Sequence, residues 1–147
     1  MGVPSRMKAL HDIANGIVGT RYQVGGATLE GADCWGVVMM ALGQAGLDLP
    51  AWNTGTEDLG PRASVTISRH AKRALIDGTV APIERPEPGA IVVCRDASDN
   101  SPHVAVLVDS EWVLHGTAPS ARCERLSAFQ ERYRDLSFVR WMGRRYG

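Results

Sequence analysis

Cys34 is the first residue whose type and position suggest chemistry. It follows Asp33 at the start of a strongly apolar segment. A thiolate attacks carbonyl carbon, and it forms more easily at a helix N-terminus, where backbone N–H groups and the helix dipole stabilise an anion. Asp33 opposes this effect, because a neighbouring carboxylate raises a thiol pKa unless its charge is used to cap the helix. Cys34 is therefore a candidate nucleophile.

The chain has three cysteines, so one thiol stays free even if Cys94 and Cys123 pair with each other, a question the sequence leaves open. Free cysteines are more often small buried hydrophobes than nucleophiles, and Cys34 fits that interpretation as well. The neighbouring glycines favour the interpretation of Cys34 as a nucleophile. A glycine-rich stretch precedes the thiol and Gly36 follows it, and bare α-carbons leave room for a substrate.

Two histidines supply a candidate base. His103 and His115 lie 12 residues apart (115 − 103), in apolar segments centred on Asp109. Their alternating pattern predicts a hairpin. A register centred on Asp109 would place the imidazoles directly opposite each other, with Cβ atoms about 5 Å apart, whereas an odd register sum would put them on opposite faces. His11 and His70, on predicted helices, are interpreted as ordinary structural histidines.

A metal site is the alternative use of the same side chains. Cys34, His103 and His115 would make a zinc site with one open position. The chain contains no Cys-x-x-Cys or His-x-x-x-His pair. We therefore rank zinc below a thiol and imidazole pair and expect no metal and no cofactor.

The first half of the chain is predicted to be helical. Apolar residues recur at helical spacing over 5–18. Over 33–45 they surround the helix axis, so this helix should be buried, and a polar segment at 64–76 gives a weaker helical signal. Ser5 is the expected N-cap of the first helix, and Gly19 lies beyond its end. The glycine-rich segment 20–32 is predicted to be a loop. The role of the long connection 47–87 stays open.

The second half is predicted to be a sheet. Alternating residues indicate five strands, at 90–94, 103–108, 112–115, 121–125 and 136–141. A short helix is expected over 127–133. Helices first and strands later are typical of an α+β fold, in which helices pack on one face of a mostly antiparallel sheet. The chain length of 147 residues predicts one domain, 1–147.

The composition argues against two classes of partner. The 16 basic residues balance the 16 acidic ones, and the aromatic residues are scattered, so we expect no nucleic acid. The longest apolar run, 37–42, is far shorter than the roughly 20 residues of a membrane-spanning helix. The N-terminus resembles neither a secretory signal nor an acylation signal. We therefore expect synthesis in the cytoplasm without membrane insertion.

Taken together, these residues resemble the NlpC family of cell-wall cysteine peptidases, a papain-like group. The matching residues are Tyr22, Gly25, Gly26, the run from Asp33 to Gly36, Pro88, Gly89, the run from His103 to Val106, and His115. The segment 132–140 resembles the closing strand of the family. The resemblance implies a nucleophile at a helix N-terminus, packed against an antiparallel sheet that carries the base.

The resemblance also assigns roles. It implies that Cys34 attacks an amide carbonyl, that His103 is the general base and that His115 orients His103. The backbone N–H of Cys34 and the side chain of Tyr22 would face the oxyanion. Asp33 and Trp35 would complete the substrate side of the site. The implied substrate is the peptidoglycan stem peptide, cut between D-glutamate and the diamino acid.

One departure from the family pattern suggests where the protein acts. Trp35 stands where many members have serine. This looks like members encoded with phage tail genes, so we expect a protein carried in a tail tip to the cell wall, with other tail proteins as partners.

The alternative is a catalytically silent tail or wall-binding module of the same fold. Iodoacetamide would separate the two, because an activated Cys34 should be alkylated well below the pH required by an ordinary thiol with a pKa of about 8.5. Slow labelling would favour the binding module.

Overall fold

The structure is a computed structural model that describes residues 3–47, 49 and 78–142. The predicted helix at 64–76, with His70, lies outside the described residues. The helices are α1 (Val3–Ile17), α2 (Cys34–Gln44) and α3 (Leu126–Phe129). The strands are β1 (Ala27–Thr28), β2 (Gly31–Ala32), β3 (Val80–Ile83), β4 (Ile91–Asp96), β5 (Pro102–Leu107), β6 (Trp112–His115), β7 (Arg122–Arg125) and β8 (Tyr133–Trp141).

Six of these strands form one antiparallel sheet in the order β3-β8-β4-β5-β6-β7. The predicted α+β class and the five predicted strands are confirmed. Strand β3 was not predicted from the sequence. It pairs Val80 with Trp141 and Pro82 with Val139 at the edge of the sheet. A proline cannot donate a ladder hydrogen bond, which disguises the segment as a loop but is tolerated in an edge strand.

The two faces of the sheet carry separate apolar cores. Along β5, Val104 and Val106 belong to the core that α1 and α2 cover, whereas Ala105 and Leu107 belong to the core on the other face. The alternation follows from the two-residue period of a strand. We call these the helix face and the aromatic face, because Phe129 and Tyr133 pack in the second core.

Helix α2 is buried around most of its circumference, as its apolar sequence predicts. It packs against α1 on one side and against β5 and β6 on the other. Val37 and Val38 have no exposed surface. Burying a side chain of this size stabilises the fold by about 1.5–3 kcal/mol, so the position of the helix that begins with Cys34 is strongly determined.

Three predicted boundaries are wrong. Helix α1 begins at Val3, so Ser5 lies inside the helix rather than at its N-cap. The predicted loop at 20–32 contains the small antiparallel pair β1 and β2, whose two-residue strands are too short for a periodic signal. Helix α3 ends at Phe129, and Tyr133 begins β8 because it pairs with Asp96 of β4.

No helix in the described part of the chain is long and apolar enough to span a membrane.

Candidate active site

Asp33 fixes the start of α2. It is the N-cap residue, with an extended backbone, and its Oδ1 accepts the N–H of Gly36 at 2.8 Å. Its Oδ2 accepts the N–H of Gly25 at 2.9 Å, which ties the preceding loop to the same carboxylate. Such a cap contributes about 1 kcal/mol. The charge of Asp33 is thus used for capping.

Two glycines allow the first turn of α2 to pack against backbone on both sides. A Cβ on Gly36 would lie 2.0 Å from the carbonyl oxygen of Gly26. A Cβ on Gly116, directly after β6, would lie 2.6 Å from the carbonyl oxygen of Asp33. The room beside Gly36 is therefore filled by the protein's own loop, and the sequence-based expectation that it admits substrate is wrong.

The thiol of Cys34 lies against β5. The backbone N–H groups of Val104, Trp35 and Cys34 lie close enough to the sulfur to stabilise its thiolate form. The ladder between β5 and β6 ends at the pair of Val106 with Leu114, so the Val104 N–H lies beyond it. Val104 is the residue directly after His103, which places the sulfur beside the strand position of the candidate base.

The resting form of Cys34 is the neutral thiol. The residue is only 7% exposed, and burial raises the pKa of its thiol to about 12, with the Asp33 carboxylate adding to the effect. The three N–H groups lower the pKa but do not compensate for burial. The N–H groups at the helix N-terminus do favour the thiolate, as expected, but burial outweighs them. A base has to remove the proton.

The structure brings His103 and His115 together on the aromatic face. The Nε2 atom of His103 lies 2.9 Å from the Nδ1 atom of His115, and the rings meet edge to face. The prediction that both rings share one face is confirmed. Direct opposition is wrong: Val106 pairs with Leu114, so the register sum is 106 + 114 = 220 and the strand partner of His115 is Ala105 (220 − 115). The two rings are diagonal neighbours.

The turn explains this shift in register. Oδ1 of Asp109 accepts the N–H groups of Glu111 at 2.7 Å and Trp112 at 2.9 Å. The N–H of Val108 donates to the carbonyl oxygen of Trp112 at 2.9 Å, which closes a three-residue loop. Asp109 therefore begins the loop rather than standing at its centre, because its side chain binds the backbone downstream of it.

Aromatic rings hold the imidazoles in place. Tyr133 stacks on His103 with ring centroids 4.6 Å apart, and Phe129 meets His115 edge to face at 5.0 Å. His115 has no exposed surface, and His103 is half-buried. Side chains packed in this way lose rotational freedom, so the ring orientations are fixed before any substrate arrives.

Both imidazoles are neutral at pH 7. Burial, together with the positive charge of Arg132 and the repulsion that a protonated His115 would exert, lowers the pKa of His103 to about 3. Burial also lowers the pKa of His115, although Glu124 acts in the opposite direction. A neutral imidazole has one bare nitrogen that can accept a proton. At pH 7 the pair therefore has a bare nitrogen that can accept a proton, while the lowered pKa makes each imidazole a weaker base than an ordinary histidine.

Glu124 and Arg132 extend the pair, and neither was predicted from the sequence. Oε2 of Glu124 lies 2.6 Å from Nε2 of His115. The guanidinium of Arg132 binds the same carboxylate. The local sequence of β7 looks like an exposed charged strand. Only the pairing of His115 with Arg122 brings Glu124 diagonally next to the ring.

Tyr22, expected to face the oxyanion, lies close enough to Cys34 and Asp33 to feel their charges. Its backbone N–H donates to the carbonyl oxygen of Pro119 at 3.0 Å, which fixes the segment. Burial, with the negative charges of Cys34 and Asp33, raises the pKa of Tyr22 to about 12. Its hydroxyl therefore stays protonated and can donate a hydrogen bond.

Trp35, the other residue expected on the substrate side, is 5% exposed and packs in the core of the helix face. Its expected contact with substrate stays a prediction.

The remaining candidate residues have structural surroundings. Cys94, Cys123 and Cys34 are all free thiols. His11 pairs with Asp109 at 2.9 Å on the surface. Within residues 3–47, 49 and 78–142, no group of three His, Cys, Asp or Glu side chains is arranged to hold a metal ion.

Known structures share this fold. A lipoprotein of the NLP/P60 family from Staphylococcus aureus matches with a TM-score of 0.61 and 17% identity, over 97% of this chain and 43% of that chain. The NlpC/p60 domain of the peptidoglycan hydrolase SagA matches with a TM-score of 0.55 and 19% identity, over 92% of this chain and 98% of that domain. A variant of RipA, a protein that interacts with the resuscitation promoting factor, matches with a TM-score of 0.53 and 13% identity, over 94% of this chain and 64% of that chain. At these identities the likeness establishes the fold.

The chain thus spans less than half of the staphylococcal lipoprotein. No curated protein matches the sequence. The family model of NlpC/P60, in contrast, matches residues 19–140, a range that includes Tyr22, Cys34, His103, His115 and Glu124. The chain belongs to the NlpC/P60 family, a family of cysteine peptidases.

Proposed function

We propose that this protein is a cysteine peptidase that hydrolyses amide bonds in peptidoglycan stem peptides. The observation that carries the proposal is the hydrogen-bonded pair of neutral imidazoles, His103 on β5 and His115 on β6, together with the Cys34 sulfur near the backbone N–H of Val104, the residue after His103. Family membership supports the reaction type. The description of SagA as a peptidoglycan hydrolase supports the substrate class.

In the proposed reaction His103 activates the thiol at the moment of attack. Its Nε2 faces His115, so Nδ1 takes the proton from the Cys34 sulfur while the sulfur bonds to the amide carbonyl carbon. His103 then gives that proton to the leaving amine as the C–N bond breaks. Water hydrolyses the thioester with His103 again as the base, which releases the carboxylic acid and restores the thiol.

The charge that develops on the carbonyl oxygen needs donors in place. The backbone N–H of Cys34 lies at the start of α2, where helix N–H groups have no carbonyl partners. The protonated hydroxyl of Tyr22 is the second proposed donor. Removing one donor of this kind typically costs about 10²–10³-fold in rate.

Two finer features belong to the same proposal. The bond between D-glutamate and the diamino acid is the proposed cleavage site, supported by the resemblance of the motif residues to the NlpC family. Carriage in a phage tail tip, with other tail proteins as partners, is supported by Trp35 in the position after the nucleophile. Mass analysis of muropeptides after digestion identifies the bond directly.

Loss of the nucleophile tests the function. We expect Cys34→Ala to abolish release of muropeptides from purified peptidoglycan, because no other group can form the acyl-enzyme. Cys123→Ala is the matched control, since this thiol is half-buried on β7 and is expected to leave turnover unchanged. Circular dichroism confirms that both variants fold. Equal turnover by Cys34→Ala and the parent would refute the peptidase.

The same assay decides for or against a silent wall-binding module. A folded parent protein that releases no muropeptide but sediments with peptidoglycan would be such a module. Alkylation is the weaker test here, because a thiol with a pKa raised to about 12 reacts slowly at neutral pH whether or not the protein is an enzyme.

A further inference from the structure

The hydrogen bonds that begin at His103 do not end at His115. They continue to Glu124 and Arg132, two residues outside the triad of Cys34, His103 and His115. We propose that Glu124, held by Arg132, is a positioning residue that sets which nitrogen of each imidazole carries a proton. The inference rests on the proposed function, since it explains how His103 is prepared to act as the base.

The contacts form one continuous line across three strands. Nε2 of His103 on β5 meets Nδ1 of His115 on β6 at 2.9 Å. Nε2 of His115 meets Oε2 of Glu124 on β7 at 2.6 Å. The line ends at Arg132, which binds both oxygens of the carboxylate. His115 has no exposed surface, so water cannot substitute for these partners.

The chemistry of the last acceptor dictates the direction of every bond. An ionised carboxylate only accepts hydrogen bonds, so the Nε2 atom of His115 has to carry the proton. In the neutral ring its Nδ1 atom is then bare and accepts. The Nε2 atom of His103 has to donate to it, which leaves His103 Nδ1 bare. This is the nitrogen that takes the thiol proton in the proposed reaction.

Arg132 keeps the last acceptor ionised. The hydrogen bonds of Glu124 with Arg132 and His115 lower the pKa of its carboxyl group, in spite of partial burial. A protonated Glu124 would offer an O–H and would allow the opposite arrangement of protons. Arg132 therefore acts on His103 through the side chains of Glu124 and His115.

The other titratable and charged groups near the two rings do not compete for these nitrogens. Among the described residues they are Cys94, Arg122 and Tyr133, whereas Asp96 acts on Arg132 and Tyr133 rather than on the rings. Tyr133 presents its ring face to His103 by stacking, and Cys94 donates to the backbone oxygen of His103. Glu124 is the carboxylate that binds an imidazole nitrogen of the pair.

The replacement Glu124→Gln reverses the direction. Arg132 has only donors, so it holds the amide oxygen, and the amide N–H₂ group then faces His115. His115 has to accept with Nε2 and donate with Nδ1, and His103 becomes protonated on Nδ1. We expect kcat to fall by about 10²-fold or more with KM changed by less than about twofold, as for other bases held in the wrong tautomer.

Nitrogen NMR of the histidine-labelled protein reads the tautomers without any substrate. We expect Nε2–H on both rings in the parent protein and Nδ1–H on both rings in Glu124→Gln. Glu111→Gln is the matched control, because it makes the same change in an exposed carboxylate that pairs with Arg125. It should keep the parent tautomers and the parent kcat.

Several results would overturn the inference. Parent-like tautomers in Glu124→Gln would overturn it whatever the activity of the variant. Reversed tautomers with an unchanged kcat would also overturn it. If Glu124→Gln does not fold, finding the proton on Nδ1 of His115 in the parent protein would by itself overturn the inference. The proposed function is judged separately by Cys34→Ala, which leaves the hydrogen bonds from His103 to Arg132 in place.

Discussion

The two sides of the candidate site are built in different ways. The nucleophile side is local in sequence: Asp33 caps the helix that Cys34 begins, and Gly36 packs on a loop ten residues earlier in the chain. The base side combines side chains from β5, β6, β7 and the segment before β8. The first is held by backbone contacts and the second by side-chain hydrogen bonds and ring stacking. Apart from replacement of Cys34 itself, substitutions should therefore affect stability on the nucleophile side and chemistry on the base side.

The largest expected effect is on the base side. His103→Ala removes the proposed base and should lower the rate of muropeptide release by about 10³-fold or more, whereas His115→Asn keeps a side chain that can orient the ring and should retain more activity. Steady-state digestion of peptidoglycan measures both. The reverse ranking of the two variants would exchange their roles.

The nucleophile side should respond through stability. In Gly36→Ala the added Cβ meets the carbonyl oxygen of Gly26, so we expect a loss of about 1–3 kcal/mol in the free energy of unfolding. Gly43→Ala in the same helix is the control, because its Cβ would meet nothing within 4 Å. That variant should gain about 0.5–1 kcal/mol from helix propensity. Urea titration measures both, and equal effects would contradict the close packing.

The smallest expected effect is the dependence of stability on pH. The pKa of His103 is about 3 in the folded protein, against an ordinary value of 6.5, so between these values the unfolded chain binds more protons. Stability should therefore be full above pH 6.5 and fall as the pH decreases towards 3. His103→Gln should show a shallower fall in Tm over this window. Carboxyl groups with lowered pKa contribute equally in both proteins, so the difference isolates His103.

What could be predicted from the sequence follows the same division. Helix α2 and its stop at Gly46 depend on residues close together in the chain and were predicted correctly, and the capping role of Asp33, which the sequence left as a condition, depends on neighbours three residues away or fewer. The shared face of His103 and His115 was also correct, because it depends only on the parity of the register.

The features that the sequence did not predict depend on residues far apart in the chain. The binding of Glu124 to His115 requires the register between β6 and β7, and the filled space beside Gly36 requires the path of the preceding loop. The high pKa of Cys34 depends on burial by the whole fold, which outweighs the local helix dipole. Neither a pairing register nor a burial environment is contained in local residue patterns.

His115 and Gly116 are consecutive, and they serve opposite sides of the site. His115 carries the imidazole that binds His103, and Gly116 lies so close to the start of α2 that an added Cβ would come within 2.6 Å of the carbonyl oxygen of Asp33. Their α-carbons are about 3.8 Å apart across one rigid peptide unit. A displacement of this strand end would therefore disturb both the imidazole pair and the packing at the start of α2.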